Sequence, residues 1–232
     1  MPEVPAAPPP RPRDIRRGLG YGAAAAACGV FVLALGYLIP PAEEIVSTDR
    51  LGPDQGESIA AYLDRAGESL TGTDTADRWA LVSFTEYRPA TELRDRVGDL
   101  RIGQALYRVP LPRVATPLVA VQTPAGDVAL RRSGTDAAWQ LADRRRYVGD
   151  DRTARALDVA VARLRAGCAC SPGVVVRAPL PRLRDLAGRP GVRAVEALPG
   201  DAVAGRFAVG PLLPDSTDPV GPPPDDGPVP PA

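Results

Sequence analysis

The sequence predicts an α+β protein in which a membrane-spanning helix precedes an antiparallel-sheet domain, and three observations predict it. An uncharged apolar run from Leu19 to Ile39 is bounded by arginines before it and carboxylates after it. Strand–helix–strand patterns occur twice, at residues 78–109 and 173–197. Between them, residues 110–167 read as a hairpin followed by two helices, an insertion that separates the two patterns.

The apolar run has the length to cross a bilayer, because at 1.5 Å rise per residue it reaches about 32 Å. Pro40 and Pro41 end it, since proline lacks the donor and clashes with the preceding turn. Arg11, Arg13, Arg16 and Arg17 precede the run; Glu43, Glu44 and Asp49 follow it. That arginine excess holds the preceding segment in the cytoplasm and places the rest outside. A cleaved signal peptide would need small residues before its cleavage site, and a proline stands where one is needed before Ala42. The expected organisation is a disordered cytoplasmic tail (1–17), a transmembrane helix (18–41), a juxtamembrane helix and linker (42–77), an extracytoplasmic domain (78–212) and a disordered Pro-rich tail (213–232). The expected location is the cell membrane, single-pass, with the lipid bilayer as one partner through the run from Leu19 to Ile39.

Residues 54–66 read as an amphipathic helix, with Ile59, Tyr62, Leu63, Ala66 and Leu70 on one side. Residues 78–86 (RWALVSFTE) are rich in β-branched and aromatic types, which suits a strand. Residues 89–97 open with Pro89 and repeat apolar types at Leu93 and Val97, as a helix does. Residues 100–109 alternate in part and give a second strand. The order recurs as a strand at 173–177 (GVVVR), a short helix at 180–187 closed by Gly188, and a strand at 192–197. Two such units in one four-stranded antiparallel sheet, with both helices on one face, make the ferredoxin-like arrangement. Within the insertion, residues 117–122 and 127–131 flank Thr123-Pro124-Ala125-Gly126, which is hairpin chemistry. Residues 135–148 and 151–166 are helical, the second capped by Asp150 or Asp151.

Composition excludes much chemistry. All 28 basic residues are arginine, they balance 28 acidic ones, and there is no histidine. The missing His removes Ser-His-Asp and Cys-His machinery and the commonest metal ligand. The near-neutral domain offers no basic stripe for nucleic acid. The carboxylate pairs Glu43-Glu44, Asp150-Asp151 and Asp225-Asp226 lie in tails, junctions or caps, where solvated charge explains them. Cys168 and Cys170 are the one pair with chemistry open to it. In an extended strand their Cβ atoms stand too far apart to bridge, so a disulfide requires a tight turn, which Gly167 and Ser171-Pro172 permit. An intrachain bridge, interchain bridges, two small buried apolar residues and thiol redox catalysis all stay open. Two thiolates fall short of a metal site's four ligands.

The stretch from Gly173 to Ala197, with Arg189-Pro190-Gly191-Val192 and Val195-Glu196, resembles subtilisin propeptides and the proteinase-inhibitor domains of that type. Residues 78–109 resemble that family's first half more loosely, and the family's inhibitory tail would begin after Glu196. The segments SFTEYR (83–88), LYRVPLP (106–112), AGCAC (166–170) and VVVRA (174–178) are together more similar to an uncharacterised family of single-pass membrane proteins from high-GC bacteria. That resemblance implies an architecture and no mechanism.

The function expected from these readings is a membrane-anchored extracytoplasmic interaction module with a protein partner at the cell surface, no cofactor and no catalytic residue. The rival readings are a membrane-tethered regulator or inhibitor of a serine protease, carried by the propeptide resemblance, and a thiol-disulfide oxidoreductase acting through Cys168 and Cys170.

Overall fold

The computed structural model describes residues 49–231. In chain order the elements are strand β1 (Arg50–Leu51), helix α1 (Ile59–Glu68), β2 (Asp77–Arg88), a 3-10 turn (Ala90–Glu92) leading into α2 (Leu93–Val97), β3 (Arg101–Tyr107), β4 (Val119–Gln122), α3 (Asp127–Arg145), α4 (Asp151–Arg165), β5 (Ser171–Pro179), α5 (Leu180–Ala187), β6 (Val192–Ala197) and β7 (Ala208–Val209).

Five of the strands form one sheet in the order β4-β3-β5-β2-β6, antiparallel at every pairing. The β-branched runs occupy its interior: Val82 faces Val174, and Ala80 faces Val176, on the adjacent strands β2 and β5. Val82, Phe84, Ile102, Val174, Val176 and Val195 point to one face, where Leu93, Val97, Leu180, Leu183 and Leu186 of α2 and α5 and Leu130, Leu141, Leu157 and Leu164 of α3 and α4 cover them. Leu81, Leu106 and Val175 point to the other face and are covered by Leu51 and Leu198. Helix α1, capped by the Ser58 hydroxyl, which accepts from the Ala61 N–H at 3.2 Å, brings Tyr62 and Ala66 against Ala194 of β6. Strands β1 and β7 form a separate parallel pair.

Three expectations are corrected. The four-stranded ferredoxin-like sheet is a five-stranded one, because Val119 and Val121 of the insertion bury alternate side chains and add β4 at an edge. The residues from Thr123 to Gly126 turn that strand into α3 instead of closing a hairpin. The reason is helical spacing: Leu130, Ala137, Ala138 and Leu141 fall on the buried side of α3. The run from Leu19 to Ile39 lies outside the described residues, and among the described residues no helix is long and apolar enough to cross a membrane. The longest, α3 with 19 residues, interleaves Arg131, Arg132, Asp136, Asp143, Arg144 and Arg145 with its apolar side. The single-pass reading and the cell-membrane location that followed from it are therefore corrected: the described part is an α+β domain.

The Pro-rich stretch also differs from the disordered tail expected of it. Residues 211–231 run as an extended strap over the domain. Leu212 is fully buried against Tyr62, Ala66 and Ala194, and its N–H donates to the Ser83 hydroxyl at 3.2 Å. Val220 exchanges backbone bonds with Gly56 and Glu57 at 2.8 and 2.9 Å, and Val229 packs on the main core. Proline stiffens such a segment in advance, so laying it down orders fewer degrees of freedom than a flexible chain would require.

Candidate functional site

Cys168 and Cys170 lie where α4 ends and β5 begins, and a disulfide joins them with their Cα atoms 5.4 Å apart. Gly167, at φ +75°, supplies the left-handed turn that an extended chain lacks. The Cys170 side chain is buried in the core, Cys168 is half-buried beside it, and Ala169 is exposed. The Cys168 N–H donates to Arg163 O at 3.1 Å, and the Cys170 N–H to Arg88 O at 3.1 Å. The Arg108 N–H donates to Cys170 O at 2.9 Å. The bridge thus pins the helical insertion to the ends of β2 and β3.

Those bonds bring three separate segments together at one end of the sheet: residues 83–88, 106–112 and 166–170. Tyr87 comes from the end of β2, and Arg108 follows directly on β3. The Tyr107 side chain enters the helix-covered core, and its hydroxyl meets that of Ser133 in α3. Alternation along the strand turns Arg108 the other way. The Arg108 side chain is only 5% exposed. Its Nη1 donates to the Tyr87 hydroxyl oxygen at 2.7 Å and to the two Asp215 carboxylate oxygens at 3.2 and 3.1 Å. The Tyr87 hydroxyl in turn donates to Asp215 Oδ1 at 2.7 Å. Burial would raise the Asp215 pKa, but the bonds from Tyr87 and Arg108 outweigh it and hold the carboxyl below its ordinary value. Burial, and then the bond to Asp215, push the Tyr87 phenol up. A cavity of about 50 Å³ adjoins the guanidinium, lined also by Leu213, Thr217, Gly221 and Pro223.

A buried carboxylate forms a second cluster at the edge strand β6. Glu196 Oε2 accepts the Gly52 N–H at 2.5 Å, and Oε1 accepts Arg65 Nη1. Arg65 also donates to both oxygens of Glu57, from Nε at 3.1 Å and Nη2 at 2.9 Å. Burial raises the Glu196 pKa despite these donors. Among the described residues the buried Tyr62 hydroxyl has no hydrogen-bond partner, and desolvation followed by the Glu196 charge pushes its pKa up. This cluster fastens β1 and α1 to the sheet.

No motif in the sequence marks Arg108, Tyr87 or Asp215 as a site residue. Tyr87 and Arg108 sit inside SFTEYR and LYRVPLP, and Asp215 sits in a stretch whose composition reads as disorder. An arginine directly after the alternating core residues Ala105 and Tyr107 is the available signal: it follows a buried strand, is itself buried and needs an acceptor. Chemically, the assembled groups are a guanidinium and a phenol converging on one carboxylate, an anion-receiving geometry. No family model matches the chain, and no curated protein or solved structure is found to be similar to it.

Proposed function

We propose that the domain is a non-catalytic binding module whose receptor is the Arg108–Tyr87 pair at the end of the sheet. The observation that carries this reading is that a guanidinium 5% exposed is held in the fold with its donors turned to a carboxylate more than a hundred residues away in sequence. A purely structural arginine stays on the surface at lower cost, because burying the charge must be offset by its partner. The partner in this reading is a protein that presents a carboxylate on an extended segment.

The protease-regulator reading has less support. The segment after Glu196, which would have to enter a protease, is tied to its own sheet: Leu198 is buried, and its N–H donates to Trp79 O at 2.8 Å. Redox chemistry at Cys170 is disfavoured by the burial of that side chain and the engagement of both its backbone groups. The test is affinity capture with the tagged full chain beside its Arg108→Gln variant. A protein retained by the first and lost by the second supports the reading. An unchanged set of captured proteins refutes it.

A further inference from the structure

We infer that the surface under the strap is a docking track for an extended, acidic, proline-containing segment of a partner protein, and that residues 213–230 are its built-in competitor. The inference rests on the reading of Arg108 and Tyr87 as a carboxylate receptor and adds to it the ligand's pattern and its regulation.

The pattern is set by charge. Three carboxylates of the strap meet three arginines that come from different parts of the domain: Asp215 meets Arg108 after β3, Asp226 meets Arg113 in the following loop, and Asp225 meets Arg152 in α4. Asp225 also accepts the Ala115 N–H at 3.0 Å, so the track supplies a backbone donor beside the cations. The Gly227 N–H donates to Arg113 O at 2.7 Å, and a Cβ on Gly227 would lie 2.7 Å from Pro112 O. The track therefore receives a carboxylate at Arg108, a second three residues on at the Ile59 N–H of α1, and an acidic pair ten residues after the first, followed by a residue without bulk.

The regulation follows from where the attachment is strong and where it is weak. Between Asp215 and the acidic pair the strap is largely exposed, at Thr217, Pro219, Gly221, Pro222 and Pro224, and is held near the start of α1 by Asp218 on the Ile59 N–H at 3.1 Å and by the backbone bonds of Val220. The Arg113–Asp226 pair is 62% exposed on both sides, and exposed pairs of that kind contribute little. Arg108 instead keeps its need for an acceptor whichever chain supplies it. A segment attached to the same chain acts at an effective concentration on the order of millimolar, so a partner in trans binds only by displacing it.

The experiment uses the full chain, wild type and an Asp215→Asn/Asp225→Asn/Asp226→Asn variant, with a fluorescein-labelled peptide of sequence 213–230 read by anisotropy. The variant is expected to bind the peptide at least about tenfold more tightly than wild type, because its own strap no longer competes. Adding Arg108→Gln should abolish the gain, and raising the salt should weaken binding. Equal affinity of wild type and variant overturns the competitor while leaving the receptor intact. Absence of binding to either, with cooperative melts preserved, overturns receptor and competitor together. If the triple variant loses its cooperative melt, D225N/D226N is judged by the same outcomes.

Discussion

Gly173 of β5 passes so close to Val82 of β2 that a Cβ on it would stand 2.2 Å from the Val82 carbonyl oxygen. The two strands are in register up to the pair Ser83–Gly173, after which the pairing shifts towards Arg88–Ser171. The glycine thus marks where β2 bends away, and the obstacle is backbone that cannot rotate aside. Gly173→Ala should lower stability by roughly 2–4 kcal/mol in urea titration, as overpacking against fixed atoms does. Gly103→Ala, which meets the Trp79 ring at 2.4 Å instead, should cost less because a side chain can move. Equal costs would contradict this account of β5.

Asp215→Asn tests the receptor by pH. The folded carboxyl lies below its ordinary value, so it binds its proton less tightly in the folded state. Its contribution is therefore present above the unfolded pKa near 4 and is lost as pH falls through the folded value. At pH 7 the variant should be about 1–2 kcal/mol less stable, a figure kept small because Asp215 is half exposed although Arg108 is buried. Chemical denaturation at successive pH values should show the gap closing below about pH 4. A gap that persists at pH 2 would assign the effect to packing.

Glu196→Gln should show the opposite slope. Burial raises the folded pKa of Glu196, so its contribution is present below the unfolded value near 4.3 and is lost as pH rises through the folded one. Wild type should therefore lose ground against the variant as pH climbs out of the carboxylate range. The variant still accepts from Gly52 through its amide oxygen but gives up the charge facing Arg65. Denaturation from pH 4 to 8 reads the slope, and a gap widening in favour of wild type would contradict the assignment.

What the sequence discloses and what it hides have separate causes. The pairing of β2 with β5 is readable because β-branched residues cluster in two short runs, and the short helices are readable from Leu93, Val97, Leu183 and Leu186. A period of two would put Leu106 on the same face as Ile102, yet it faces the other side. The pairs Ile102–Val176 and Gln104–Val175 leave Gly103 as an extra residue, and a bulge of one residue inverts every side chain after it. The strap stays hidden because proline and glycine signal the absence of a core, whereas here the buried Leu212 and the partly buried Val229 pack on cores built by other elements. The receptor stayed hidden because Arg108 and Asp215 are 107 residues apart, and no local period connects them.

The Cys168–Cys170 bridge should be present in the purified chain and should contribute modestly. Alkylation without reductant followed by mass spectrometry should leave both residues unmodified. Full alkylation of both would overturn the bridge, and a reducible dimer would replace it with interchain pairing. The loop it closes is the shortest kind, so the constraint on the unfolded chain is worth about 1.5 kcal/mol, against about 3 for a loop of fifteen residues. Reduction of the wild type should therefore lower its denaturation midpoint only slightly. Cys168→Ser should lower it by a similar amount, because that side chain is half-buried and the hydroxyl can reach solvent. Cys170→Ser should lower it further, since Cys170 is 1% exposed and the new hydroxyl would be buried in the core. The two serine variants separate the bridge from the packing: equal midpoints would mean that Cys170 matters only as a bonding partner, and a lower midpoint for Cys170→Ser would show that it also fills the junction between α4 and β5.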